Sequence, residues 1–134
     1  MILVDAGPLV AFVDADDQHH KKCAATLRDI REPLATVWPA LTEALYLLAD
    51  LPVGQDAVWE MILRGGLSLL RLDADDIPRI RELMRKYRDR KIDLADAALL
   101  RAAEREGIRK IFTVDQKDFQ VYRLHGRAAP VLLP

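Results

Sequence analysis

ILVDAGP, residues 2–8, decides how the chain is read: three consecutive apolar residues run into an acid and then a Gly-Pro turn signal. Such a run is the mark of a short strand covered on both faces, here one that stops at Asp5. The pattern returns over 110–114, where Ile111-Phe112-Thr113-Val114 leads to Asp115. Leu34-Ala35-Thr36-Val37 and residues 67–72 are further strand candidates, and Val131-Leu132-Leu133 reads as a short edge strand. Helical spacing fills the gaps. It predicts helices over 18–31, with Cys23, Ala24, Leu27 and Ile30 inward, and from Pro39 through Ala49. A shorter one carries Val58, Trp59, Ile62 and Leu63. Two more run over 75–88 and 93–106, the last stopped by Gly107. Uniformly apolar strands need cover on both sides, and crossover helices supply it. The expected fold is therefore an α/β, Rossmann-like three-layer sandwich with a mainly parallel sheet, one domain over residues 1–134. Its crevice should open beyond the carboxyl ends of the strands, where Asp5 and Asp115 fall.

Composition narrows the chemistry. With 51% hydrophobic and 31% charged residues, the chain is neither largely disordered nor collagen-like. A single cysteine excludes an internal disulfide framework and a cysteine-rich zinc site, so Cys23 reads as a small buried residue. Three histidines, with His19 and His20 adjacent rather than one turn apart, do not suggest a histidine metal centre. The glycines match no phosphate-binding loop or dinucleotide fingerprint. The apolar start lacks a basic segment and is interrupted by Asp5, so neither a signal peptide nor a membrane span is expected, and the expected location is the cytoplasm. Net charge is -1, but it is unevenly divided: residues 1–60 hold four Lys/Arg against ten Asp/Glu, residues 61–134 sixteen against eleven. A local basic surface can thus steer a polyanion to a nearly neutral protein.

Acids inside apolar helices carry the functional signal. Glu43 sits in PALTEALYLLA among Ala40, Leu41, Ala44, Leu45, Leu47 and Leu48, with no Lys or Arg nearby on that helix. It is either a solvent-facing Glu or a carboxylate aimed at a cation. Asp93 and Asp96 lie three residues apart at the start of the helix ending at Glu106. They read as an N-cap and its capping-box partner, as cleft acids, or as both. Convergence of Asp5, Glu43, Asp96 and Asp115 would set like charges together unless a cation neutralised them. All-carboxylate donors suit Mg²⁺ or Mn²⁺ better than Zn²⁺, and such an ion can activate water for attack on a phosphodiester.

The segments VDAGPLVAF (4–12), the Glu43 helix, LADAALLRAAEREG (94–107) and IFTVDQKDF (111–119) together resemble the PIN-domain ribonucleases, in particular the small stand-alone VapC-type toxins. The resemblance spans residues 2–119. It implies Mg²⁺- or Mn²⁺-dependent RNA cleavage by an activated water, on a PIN-like fold. By position, Asp5, Glu43, Asp96 and Asp115 match the family's four acids, and Thr113 matches the Ser/Thr supporting the metal water. Asp93 and Asp118 match less constant acids, the first beside the site and the second at the turn before Phe119. The resemblance also implies a homodimer and, for a toxin, a cognate antitoxin covering the cleft.

Two further features bear on partners. Arg85, Lys86, Arg88, Arg90 and Lys91 crowd the segment before Asp93, either as a solvated helix end or as a phosphate-contacting strip for RNA, with Tyr87 as core or as a stacking surface. Val58, Trp59, Ile62 and Leu63 form an apolar stripe suited to core or to a second copy. Alternatives to a nuclease are a catalytically silent PIN-like binding module and a receiver-like phosphoacceptor domain, the latter needing an acid such as Asp73 after the third strand.

Overall fold

The computed structural model describes residues 1–134. Five strands, β1 (Ile2–Val4), β2 (Leu34–Val37), β3 (Ser68–Leu70), β4 (Lys110–Phe112) and β5 (Val131–Leu133), form one sheet in the order β3-β2-β1-β4-β5. Every pairing is parallel, with Ile2 opposite Leu34 on one side and Lys110 on the other. From the central β1 the chain winds outward through β2 and β3, then crosses back to β4 and β5. The winding direction therefore reverses between β1 and β4, and a crevice opens at their carboxyl ends.

Seven helices cover the sheet: α1 (Ala6–Val13), α2 (His20–Asp29), α3 (Trp38–Leu47), α4 (Pro52–Leu63), α5 (Ile77–Lys86), α6 (Leu94–Glu106) and α7 (Gln116–Phe119). Alternation along the strands divides the core in two. Ile2, Val4, Leu34 and Phe112 pack with Leu9, Cys23, Leu41, Leu48 and Val58, beneath α1 to α4. Leu3, Ala35, Val37 and Ile111 face the other way, onto Leu83, Leu99, Leu100, Phe119 and Tyr122 beneath α5, α6 and the segment after α7. This is the three-layer sandwich expected. No helix is long and apolar enough to cross a membrane.

Sequence reading missed α1. Its residues, AGPLVAFV, are apolar on all sides because the helix is sandwiched between the sheet and its neighbours, which leaves no amphipathic stripe. Gly-Pro, read as a turn, occupies the first turn of the helix, where Pro's missing N–H costs no hydrogen bond. Gly7 also matters sterically, since a Cβ there would collide with the side chain of Val114. The loops after β1 and β4 meet at that point. The Val58–Leu63 stripe divides likewise: Val58 is fully buried and Ile62 leans on the core, leaving Trp59 and Leu63 exposed.

A reciprocal clasp binds α5 to α6. Asp76, just before α5, accepts from Arg101 Nε and Arg105 Nη1, both at 2.8 Å, while Arg79 of α5 donates twice to Glu104 of α6, at 2.8 and 2.7 Å. Both acids are buried. Arg101 and Arg105 are therefore committed to structure.

Candidate active site

Each strand-end acid is fixed by the backbone that follows it. Asp5 caps α1, its Oδ1 accepting the Ala6 N–H at 2.8 Å, and its Oδ2 accepts the Thr113 hydroxyl at 3.0 Å. That hydroxyl in turn accepts the Asp115 N–H at 3.0 Å. Thr113 is fully buried, so it ties the β1 and β4 ends together and positions Asp5 rather than reaching into the cleft. The edge strand β5 supports it from behind, with the Thr113 N–H donating to Leu133 O at 3.0 Å. Gln116 Nε2 adds a bond to Thr113 O at 2.7 Å. Asp115 caps α7, and Asp118 pairs with Arg90 at 3.2 Å.

The helix acids come in from both flanks. Asp93 caps α6, its Oδ1 accepting the Asp96 N–H at 2.9 Å. The expected capping box does not form, because the Asp96 carboxylate turns away from Asp93 and accepts the Tyr122 hydroxyl at Oδ2, 3.1 Å away. Glu43 projects from α3 toward Asp93, and both line one open hollow of about 690 Å³ with Trp38 and Tyr46. Trp38, the first residue of α3, is 55% exposed at the rim.

Electrostatics register the convergence. Burial, reinforced by Glu43 and Asp93, pushes Asp5 up to about 6 despite its two donors. Asp96 is pushed up to about 8 by burial and then by Asp5, Asp93 and Asp115, with the Tyr122 hydroxyl opposing. Partial burial and then Asp93 raise Glu43. Asp115 is raised by burial and by Asp118 and Asp93, against the backbone N–H of Asp118. Five acids from four separate segments thus repel one another across one crevice. None of Asp5, Glu43, Asp93, Asp96 or Asp115 has a Lys, Arg or His ion-pair partner. Asp76 and Glu104, the acids buried as deeply as Asp5, are each paired with arginine. The crevice group is left uncompensated.

No three of these carboxylates are already drawn around a single cation position. The donor set nonetheless fits a hard divalent ion. Every donor is a carboxylate oxygen, and an ion of the Mg²⁺ type keeps several waters that span longer gaps than direct ligation would. Histidine and cysteine take no part: His20 Nδ1 bonds to Ala11 O at 2.6 Å, and Cys23 is a free buried thiol in the core.

The basic strip is split by the fold. Arg85, Arg88 and Lys91 join Arg81 around a hollow of about 650 Å³ whose floor includes Ile80, Met84 and Leu94. Lys86 instead lies over the Tyr87 ring, 5.3 Å from its centre, and Arg90 leans on Asp118. Tyr87 is buried and its hydroxyl accepts the Arg123 N–H at 3.0 Å, which removes it as a stacking surface. Sequence reasoning missed Tyr122 and Gln116. Neither carries a local signal, because their partners lie in other segments.

Comparison with known proteins gives the same outline. Ribonuclease VapC26 of Mycobacterium tuberculosis is 28% identical over 136 residues, covering 99% of this chain and all of its own. Among solved structures, Mycobacterium tuberculosis VapC20, a toxin that cleaves the sarcin-ricin loop, aligns with a TM-score of 0.79 at 18% identity, over 87% of this chain and 92% of its own. A toxin-antitoxin complex from Klebsiella pneumoniae aligns at 0.68 and 19% identity, over 90% of this chain and 92% of its own. These structural likenesses speak for the fold. The PIN domain family itself matches residues 2–124, a span that takes in the ends of β1 and β4 together with Glu43, Asp93 and Asp96, and the chain belongs to that family.

Proposed function

We propose that this protein is a Mg²⁺- or Mn²⁺-dependent endoribonuclease, the toxin of a toxin-antitoxin pair, acting in the cytoplasm. The observation that carries the reading is a group of neighbouring acids, one buried and two half-buried, without a single cationic side chain paired to them, in a protein that pairs its buried Asp76 and Glu104 with arginine. Asp5, Glu43, Asp96 and Asp115 would hold the ion, with the free oxygen of Asp93 beside them. The ion, when bound, lowers the pKa of a water and offsets charge on the phosphodiester. The chain supplies the rest. Asp5 is oriented by Ala6 N–H and Thr113, Asp115 is held at the head of α7, and Arg85, Arg88 and Lys91 attract the RNA backbone toward the crevice. Lys86 and Arg90, engaged by Tyr87 and Asp118, contribute less.

The receiver-like alternative has little support in the geometry. Asp73 caps the turn before α5 and pairs with Arg71, and β3 is an edge strand two places from β1. A silent binding module differs in outcome rather than in architecture. A fluorescent unpaired RNA incubated with the protein should be cut with Mn²⁺ or Mg²⁺ and left intact with EDTA, and Asp5→Asn should lose that cleavage. Ion binding with no cleavage of any RNA tested would point to the silent module instead.

The antitoxin belongs to the same reading, by analogy with the Klebsiella complex. So does a homodimer. Trp38, Tyr46, Ile77 and Leu94 leave apolar surface exposed along α3, α5 and the start of α6, a better face for a second copy than the divided Val58–Leu63 stripe. Sedimentation at micromolar concentration should give a species of twice the chain's mass; a monomer with and without Mn²⁺ would refute the dimer.

A further inference from the structure

Tyr122 is fully buried, yet its hydroxyl reaches the one helix acid that sits deepest in the crevice. Its ring is gripped on two sides, edge-on to Phe119 at 5.0 Å and to Tyr87 at 4.9 Å between centres. The backbone is tied as well: Tyr122 N–H donates to Asp118 O at 3.3 Å, and the next residue, Arg123, gives its N–H to the Tyr87 hydroxyl at 3.0 Å. A ring so held has no freedom to follow Asp96; the carboxylate must orient to it. Asp96 gains little from its own helix, since its N–H serves the Asp93 cap and the capping-box return bond is absent. Its Oδ2 is taken by Tyr122. Its Oδ1 has no protein partner, and because no buried side-chain polar atom of the protein lacks a hydrogen bond, Oδ1 is open to solvent in the crevice.

We infer that Tyr122 is a positioning residue: its hydroxyl pins Asp96 Oδ2 and thereby presents Oδ1 to the divalent ion. The inference rests on the nuclease reading above. It assigns to the segment after α7 a job at the site, although that segment contributes no acid there. Partners behind a ligating carboxylate fix its rotamer before the ion arrives, and their loss typically lowers metal affinity about 10- to 100-fold. A buried tyrosine could equally need only some acceptor for its hydroxyl, which is a purely structural role. The two roles separate in a metal titration.

The test is Mn²⁺ alone, titrated into wild type, Tyr122→Phe and Phe119→Leu, with thermal unfolding and calorimetric binding as readouts beside RNA cleavage. Tyr122→Phe keeps the ring and removes the hydroxyl; it should raise the Mn²⁺ concentration for half-saturation by about 10- to 100-fold and leave unfolding in EDTA little changed. Phe119→Leu loosens the same aromatic packing without touching Asp96. It should lower the unfolding temperature in EDTA and shift the Mn²⁺ midpoint by less than Tyr122→Phe does, because the hydroxyl remains to meet Asp96. A Tyr122→Phe midpoint within two-fold of wild type overturns the inference while leaving the nuclease reading intact. Failure of Tyr122→Phe to fold would make the hydroxyl structural, and overturns it too. Absence of any Mn²⁺ binding to wild type removes both readings together.

Discussion

Asp96→Asn should abolish metal-dependent RNA cleavage, by about a thousand-fold or about 4 kcal/mol of barrier, and at the same time make the metal-free protein more stable at neutral pH. The two effects share one cause. Asp96 is held mostly out of water among Asp5, Asp93 and Asp115, and its carboxyl is pushed up to about 8. An acid whose folded value lies above its unfolded value, 3.8 here, weakens the fold wherever the unfolded chain would ionise and the folded one resists. Asparagine keeps the volume and can still accept from Tyr122, but carries no charge. The helix cap is untouched, since the acceptor there is Asp93. In EDTA at pH 7 the gain should be on the order of 2 kcal/mol, less than the full linkage value because neighbouring acids share the strain. Mn²⁺ reverses the ranking: wild type is stabilised by the ion it binds, and the variant, with weaker affinity, hardly at all. Thermal unfolding with EDTA and with excess Mn²⁺, beside a cleavage assay in the same buffers, reads both effects. An undiminished Mn²⁺ response together with wild-type cleavage would remove Asp96 from the site.

How much of this was legible beforehand depends on how local each signal is. The Ile2–Val4 strand, the α6 helix with its Gly107 stop and the Val131–Leu133 edge strand are written in adjacent residues, and they form as read. The places of Asp5 and Asp115 at neighbouring strand ends were legible as well, because a parallel α/β topology dictates where strand ends go. What escaped was set at long range. The α1 helix looks like a turn and an apolar scrap until the sheet and three helices enclose it. The meaning of Arg101 and Arg105 depends on Asp76, more than twenty residues away, and the meaning of Tyr122 on Asp96, 26 residues back. The capping box at Asp93 and Asp96 was a sound local expectation. It gave way because a buried hydroxyl competed for the same carboxylate.

In EDTA, stability should peak on the acidic side of neutrality and then collapse, since the two groups of buried acids in this protein titrate in opposite directions. The crevice acids come first. Asp5 and Asp96 have folded values near 6 and 8, raised above 3.8, so their cost to the fold is present at high pH and is relieved as pH falls through those values. From about pH 8 down to about pH 5 the metal-free protein should therefore gain stability. Asp76 and Glu104 act in the reverse sense. Burial alone would raise both, but the Asp73 N–H with Arg101 and Arg105 holds Asp76 at about 2, and Arg79 with the His125 N–H holds Glu104 below its usual value. A depressed carboxylate contributes fully above its unfolded value and loses that contribution as pH falls toward its folded one, so the clasp between α5 and α6 should open between about pH 4 and pH 2. The clasp can be removed at neutral pH as a check. Asp76→Ala strands two arginines beside α5 and deletes the acceptor that caps the preceding turn, which should cost about 3 kcal/mol. It should also flatten the acid limb of the curve while leaving the rise between pH 8 and pH 5 in place. Asp96→Asn should do the opposite, flattening the rise and sparing the acid limb. Urea unfolding of the three proteins across this range, in EDTA, separates the limbs; a wild-type curve flat from pH 8 to pH 5 would mean that the crevice acids do not strain the fold, and the charge argument for an ion between them would fall with it.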